Sequence, residues 1–451
     1  MLNFIPSFDG ILGRFSRTSE PSADRRFYQQ LAKEANMIEA VINGLDYNGV
    51  VSGITGTRHG GSVFYQMKMG NEKSRKGVVA IGDERWASLF TEARPSGETI
   101  PARLDPIRLV IEAPYPGKTE PLTWDHAPFD KLRLGKVVVG NRFDRNRPEA
   151  LFIDLKDSRS PHVLIAAMTG GGKSVALMNI IASLCLSASP QNLVVYAIDT
   201  KGGLAELKGF DSIPHVHRVQ DPEQGIQLLE SMVKELKRRN QAQTNSPMII
   251  VAIDELPDLV AEDSSKVQKL ISRIAQLGRA RGIHLIAGAQ NPTRANLGTD
   301  LIANFPVRLV GAVVDKDASA LACGMGGVGA ECLPGKGAFY HVQSGVAIRF
   351  QAFYIEHYVQ GIAQVLVDRY GSSKVNVIEL SQDNALSPSE QDARRILDAY
   401  SMDDIFKPDG SVKHGKKVQL LRFLEDNESA KCAGDQDARM NKVIQELLLL
   451  R

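Results

Sequence analysis

Cysteine is scarce in this chain of 451 residues: only Cys185, Cys323, Cys332 and Cys432 occur, and no two form a CxxC pair. That excludes the usual zinc and dithiol-redox frameworks. Sparse, unpaired thiols in a long chain fit a reducing compartment, so a cytoplasmic protein is expected. Also missing is any run of 18 or more apolar residues, which leaves no candidate for a membrane-spanning helix. The opening MLNFIPSFDGILGRFSRTSE lacks the basic start and compact apolar stretch of a signal peptide. An excess of one charge is absent too. The 54 basic side chains face 52 acidic ones, a net charge of +2, so any basic surface for nucleic acid must be local.

What is there is ordinary globular material: 43% hydrophobic and 24% charged, enough for a sizeable core and too balanced for a disordered chain. The length suggests two or three domains. Residues 1–25 read as a tether whose Phe4, Ile5, Phe8, Ile11, Leu12 and Phe15 either strap the protein's own core or dock on a partner or membrane surface, the strap being favoured. Residues 26–133 read as a small α+β domain. It opens with a helix over 25–44, on which Leu31, Ala35, Ile38 and Val41 share a face. Strand-like pieces follow: GVVSGITGTRHGGSVFYQMKM, KGVVAIG and IRLVIEAP.

Over 134–378 the pattern changes to buried-type strands (HVLIAA, NLVVYAID, MIIVAIDE, HLIAGAQ, VRLVGAVV) alternating with helices over 175–187, 222–241 and 264–280. Asp221 caps the second of these and Pro222 fills its first turn. The alternation predicts an α/β fold with a parallel sheet covered on both faces. After the polar break SQDNALSPSEQD, residues 385–451 read as a helical region with a basic KHGKK loop at 413–417, a solvated loop or a phosphate contact. His215 and His217 have metal-ligand spacing only superficially and read as packing or surface residues.

One loop carries chemistry. AMTGGGKS, residues 167–174, fits the phosphate-binding pattern G-x-x-x-x-G-K-[ST], with Ala167 in place of the first glycine. It follows a strand and precedes a helix, the context the pattern requires. Glycines let successive N–H groups turn inward around a phosphate, so Thr169, Gly170, Gly171, Gly172, Lys173, Ser174 and Val175 form a candidate nucleotide cradle at a helix N-terminus. Lys173 would reach the β- and γ-phosphates of ATP, and the Ser174 hydroxyl would ligate Mg²⁺. The second half of such a site is a carboxylate at the end of a buried strand. In MIIVAIDE, Asp254 would hold the Mg²⁺ shell and Glu255 would act as general base on the attacking water. Adjacent carboxylates favour hydrolysis over simple phosphoryl transfer; a helix cap is the plain alternative. Gln290, ending HLIAGAQ, suits a γ-phosphate sensor, or else a loop amide bonding backbone.

Six stretches together resemble the FtsK/SpoIIIE double-stranded DNA translocases of the wider FtsK–HerA group: LGKVVVG, PHVLIAAMTGGGKS, IDTKGGLAEL, IVAIDELPDLV, SRIAQLGRARGIHLIAGAQNP and ANFPVRLVGAVVDKDAS. Upstream, SGITGTRHGGSVFYQMKM and IRLVIEAPYPGK are similar to the small α+β domain that precedes the motor in that family. The resemblance implies a RecA-like P-loop motor that forms a homo-oligomeric ring, a hexamer, around duplex DNA, with ATP between neighbouring subunits. It implies that Arg279, and as second candidate Arg308, act in trans on the neighbour's γ-phosphate. It implies that Arg294 and Lys316 face DNA in the channel, touching phosphates rather than bases. For each of these four the plain alternative is a solvated or ion-paired surface charge. The family's Arg-Pro-Ser after Gln290 is here Asn291-Pro292-Thr293-Arg294. Septal members carry an N-terminal membrane anchor and a C-terminal winged helix. Neither is recognised in this chain, which points to a mobile-element, phage or conjugation-type motor. An ATP-driven duplex translocase is the leading expectation. Its rivals are a genome-packaging or resection ATPase of the same superfamily and a nucleotide-gated, DNA-bound scaffold, against which the general base Glu255 argues.

Overall fold

The first described element, helix α1 (Arg25–Gly44), buries Leu31, Ala35, Ile38 and Ile42 on one stripe, while Val41 packs at its margin. The structure is a computed structural model that describes residues 25–378 apart from 58–60, 95–98, 107, 117–118, 143–147, 201–208, 291, 294–295 and 376; beyond 378 it describes only short stretches between 396 and 444. The tether residues Phe4 to Phe15 lie outside the described residues. Two compact units divide the chain after Val377.

Helix α1 packs on a four-stranded antiparallel sheet built from β1 (Gly49–Thr57), β2 (Ser62–Met69), β3 (Arg103–Asp105) and β4 (Val110–Pro114), in the order β1-β2-β4-β3. Between β2 and β3 lie helices α2 (Glu72–Val79) and α3 (Asp83–Ala93). The strand expected at KGVVAIG is therefore the end of α2. Asn71 caps that helix by accepting from the Ser74 N–H, and of the apolar run only Val78 is buried. A run that short fits either period, and the cap decides. Glu34 of α1 sits fully buried under this sheet. Arg94 binds it through two nitrogens, at 2.5 and 2.6 Å, Gln30 donates at 2.6 Å, and the Tyr65 hydroxyl also donates to it.

Next come strands β5 (Lys136–Arg142), β6 (Glu149–Asp154) and β7 (Val163–Ala166), then helix α4 (Lys173–Ser187), β8 (Leu193–Ile198) and β9 (Val216–Val219). Helix α5 (Pro222–Ala242) starts as expected, with Asp221 accepting from the Gln224 N–H. It leads to β10 (Met248–Ile253), α6 (Leu256–Glu262), α7 (Ser264–Leu277) and β11 (Ile283–Ala289). Helix α7 stops at Leu277, short of 280, because Gly278 opens a 3-10 turn over Arg279–Arg281. Then follow α8 (Gly298–Ile302), β12 (Val307–Val310), α9 (Lys316–Cys323), β13 (Ala338–Gln343), β14 (Val346–Ala352) and α10 (Val359–Tyr370).

These strands form one ten-stranded sheet in the order β6-β5-β14-β13-β12-β7-β11-β10-β8-β9. From β12 to β9 all pairs are parallel, as the alternating pattern predicts. From β12 outward the other way every pair is antiparallel, which the alternating pattern does not predict. One of these pairs is made locally. Ser344 and Gly345 both have positive φ, 50° and 75°, and form a two-residue hairpin loop between β13 and β14. Ile250 and Ala252 of β10 share a core with α4 and α10. Strand alternation turns Ile249, Val251 and Ile253 to the other face. That face carries α5, whose Gly225 fits against Ile198 and Leu259.

In the second unit, α11 (Met402–Ile405) ends in buried Ile405, buried Phe406 follows and bridges to Val412, and Leu420 is buried as well. Within KHGKK, Lys416 lies over the Tyr400 ring and Lys417 donates to Asn441; His414 lies outside the described residues.

Candidate nucleotide site

Strand β7 is wholly apolar and buried between β11 and β12, so its end is fixed by both neighbours. The chain then leaves the sheet. The Ala167 N–H donates to the Ala289 carbonyl and the Met168 N–H to the Ala312 carbonyl. Gly170 and Gly172 have φ of +79° and +99°, a region closed to most side chains, and Gly172 caps α4 with no side-chain partner for the helix's first N–H groups. Ala167 is accommodated rather than strained. A Cβ on Gly311 would come 2.9 Å from its methyl carbon and one on Gly171 2.8 Å, so those two glycines supply its space.

Lys173 lies 4% exposed, beside Asp254 and Glu255 at 2% each. Its Nζ donates to the Asp254 carbonyl at 2.5 Å and to Asp254 Oδ1 at 2.8 Å, and stands 3.4 Å from Glu255 Oε2. Gly288 of β11 keeps this corner open: a Cβ there would lie 2.2 Å from the Asp254 carbonyl oxygen and 3.2 Å from Lys173 Cδ. Glu255 Oε1 accepts from the Gln290 N–H at 2.8 Å, which ties the ends of β10 and β11 together. Thr169, Gly170, Gly172, Lys173, Ser174, Val175 and Gln290 line one cavity of about 940 Å³. Its far wall is Leu122, Tyr354 and His357, held because the Tyr354 N–H donates to the Leu122 carbonyl. The cradle, Lys173, Ser174, Asp254, Glu255 and Gln290 are thus brought together. No group of three or more potential metal ligands occurs among the described residues. One hydroxyl and one carboxylate beside a phosphate cradle fit an Mg²⁺ ion carried mainly by substrate oxygens and water.

The candidate arginines are elsewhere. Arg279 is exposed just before β11, whose seven residues separate it from Gln290 by about 23 Å. It cannot serve the cavity of its own chain. Arg308 is the second residue of β12, with Nε donating to the Phe305 carbonyl and Nη2 to the Ile302 carbonyl. It lines a separate cleft of about 710 Å³ with Pro292, Thr293, Asp315 and Asp317. Lys316 opens α9, exposed, behind its cap Asp315. Arg294 lies outside the described residues. The loops after β11 and β12 therefore frame one cleft. Of the spaced histidines, His215 donates to the Ala188 carbonyl, and His217 donates to the Val375 carbonyl and stacks on Tyr196. Sequence reasoning missed Lys336, which lines the nucleotide-sized cavity; its signal is the glycine bracket in PGKG.

Similarity to known proteins agrees with this geometry. Residues 124–245 and 240–294 match the profile of the FtsK/SpoIIIE family. The DNA translocase FtsK of Staphylococcus aureus (strain Mu50) is 30% identical over 331 residues, covering 64% of this chain and 41% of that protein. The DNA translocase FtsK of Caldanaerobacter subterraneus is 31% identical over 328 residues, covering 65% and 45%. The chain thus spans less than half the length of these curated relatives. The solved monomer of the pCW3 conjugation coupling protein TcpA with ATPγS aligns with a TM-score of 0.51 at 22% identity, over 76% of this chain and 99% of that one. The fold is accordingly α/β, with a large, mostly parallel sheet that carries the phosphate-type loop and a small antiparallel sheet ahead of it in the chain. Among the described residues, no helix is long and apolar enough to cross a membrane.

Proposed function

We propose, from the match of residues 124–294 to the FtsK/SpoIIIE family profile, that this chain is an ATP-driven translocase that moves duplex DNA through a ring of like subunits, a hexamer, in the cytoplasm. One observation carries the reading. A buried lysine on a phosphate loop is shared by two carboxylates, and one of these is fixed to the strand end that leads into a candidate DNA loop.

The chemistry follows from that arrangement. The N–H groups of residues 169–175 and the start of α4 hold the β-phosphate of ATP. Lys173 exchanges its contact with Glu255 for phosphate oxygens, which frees the carboxylate to accept a proton from the attacking water. Ser174 and Asp254 are the residues that would hold an Mg²⁺ ion, which neutralises phosphate charge when bound. The Gln290 N–H keeps Glu255 aimed, and the Gln290 side chain meets the γ-phosphate. Because Gln290 leads directly into residues 291–294, loss of the γ-phosphate alters the loop bearing Arg294, and with Lys316 this shifts the grip on DNA phosphates. Arg279, out of reach of its own cavity, completes a neighbour's site, with Arg308 as second candidate.

The test uses two inactive variants. Glu255→Gln is expected to retain ATP while turnover falls about 10²–10⁴-fold, the range of a lost general base. Arg279→Ala is expected to be inactive alone. Mixing the two restores hydrolysis, because one interface in the mixture joins an intact Glu255 to an intact Arg279. No recovery on mixing, with rings present by light scattering, removes the trans assignment.

A further inference from the structure

A lysine outside the phosphate-loop pattern reaches the same cavity. Gly335, Lys336 and Gly337 have φ of +75°, +51° and +84°, three left-handed residues in a row just ahead of β13. Glycine adopts that conformation freely and lysine does not. The turn is nonetheless tied to the elements on either side of it. The Lys336 N–H donates to the Gly170 carbonyl and the Gly337 N–H to the Gly171 carbonyl. Gln351 Nε2 donates to the Lys336 carbonyl, and the Ala352 N–H donates to the Gly337 carbonyl. The fit is tight, since a Cβ on Gly172 would lie 3.0 Å from the Gly337 nitrogen. The turn therefore braces the phosphate loop through its outward carbonyls, which leaves the inward N–H groups for a ligand. The Lys336 side chain is exposed, lines the cavity with Lys173 and Ser174, and makes no ion pair among the described residues.

The sheet order says which part of a nucleotide it meets. On one side of β7 stand β11 and β10, whose ends carry Gln290, Asp254 and Glu255. On the other stand β12 and β13, with this turn. Lys336 approaches from the side opposite the general base and next to the Gln351–Tyr354 wall. We propose that Lys336 is a second cation supplied by the same chain, meeting the α- and β-phosphates of the nucleotide and carried on a turn that braces the phosphate loop. This rests on the nucleotide reading above. The α- and β-phosphates are common to ATP and ADP, so an ammonium there raises affinity for both.

The test titrates the full chain with ATP and with ADP, each with Mg²⁺, by calorimetry. Lys336→Gln is expected to weaken both nucleotides about tenfold, and Lys336→Arg to bind within about twofold of the parent. Lys336→Gly is expected to lose affinity like the glutamine variant and to unfold no more easily than the parent, which separates lost charge from a lost turn. Unchanged affinity in Lys336→Gln, or loss of ATP affinity alone, overturns the proposal. Lys173→Ala is the control on the premise: if it binds ATP as the parent does, the nucleotide reading fails whatever Lys336 does.

Discussion

Two buried charge clusters in this chain differ in one respect. Beside the four-stranded sheet, Glu34 meets one guanidinium through both oxygens, with Gln30 and Tyr65 completing it. At the phosphate-type loop of the large sheet, a single ammonium, Lys173, is divided between Asp254 and Glu255. Both are nearly dry, so neither can rely on water for solvation. The first matches one charge to one charge and joins α1, β2 and the end of α3. The second gives two carboxylates one lysine, which suits it to exchange partners when a polyanion and a cation arrive. A matched cluster suits a stabilising role; a shared lysine suits the site proposed above.

Neutralising one carboxylate in each cluster sharpens that contrast. Glu255→Gln leaves a matched Lys173–Asp254 pair, so its unfolding midpoint in urea should equal or exceed the parent's despite the loss of turnover proposed above. Glu34→Ala leaves Arg94 buried without its carboxylate and should cost about 3–5 kcal/mol, while hydrolysis per folded molecule stays within about twofold. If instead Glu34→Ala abolished hydrolysis without loss of stability, the two clusters would not divide their roles this way.

Acid should erode the large-sheet region through a third set of groups. His162 donates to the Ala275 carbonyl and accepts from the Leu285 N–H, which requires its neutral ring, and His284 donates to the Pro161 carbonyl. Burial pushes them down to about 3 and about 4, and burial also lowers His215, His217 and His341. The unfolded chain protonates near 6.5, the folded one only below that. Stability is therefore full above about pH 6.5 and declines as pH falls toward about 3. The urea midpoint should be lower at about pH 5 than at about pH 7.5; an equal or higher midpoint at the acid value contradicts this.

The smallest expected effect concerns the departure at Ala167. Gly311→Ala places a methyl group 2.9 Å from the Ala167 and Phe339 carbons and should cost about 1–3 kcal/mol. Adding Ala167→Gly should recover part of that loss, a coupling that a thermal melt of the double variant would read.

These contrasts also mark how far the sequence is legible. The parallel half of the large sheet is written as unbroken apolar runs, and the polar side chains that meet at one corner stand where those runs end, so Lys173, Asp254, Glu255 and Gln290 can be picked out from the sequence as candidates. The antiparallel wing escapes notice although Ser344-Gly345 is a hairpin signal, because the strands around it alternate weakly. KGVVAIG misleads because its length fits two periods and the Asn71 cap outweighs its composition. The remainder is long-range. Nothing local shows that Gly311 makes room for Ala167, that Arg94 reaches Glu34, or that Lys336 folds back onto Gly170. Those partners meet only when the sheet order is set.

The central claim is that ATP cleavage at Lys173 and Glu255 is coupled to duplex DNA. Steady-state ATP hydrolysis by the purified chain, with and without long duplex DNA, tests it most directly. Hydrolysis should rise with duplex, independently of its sequence, and vanish in Glu255→Gln. Hydrolysis indifferent to duplex, or undiminished in Glu255→Gln, contradicts it.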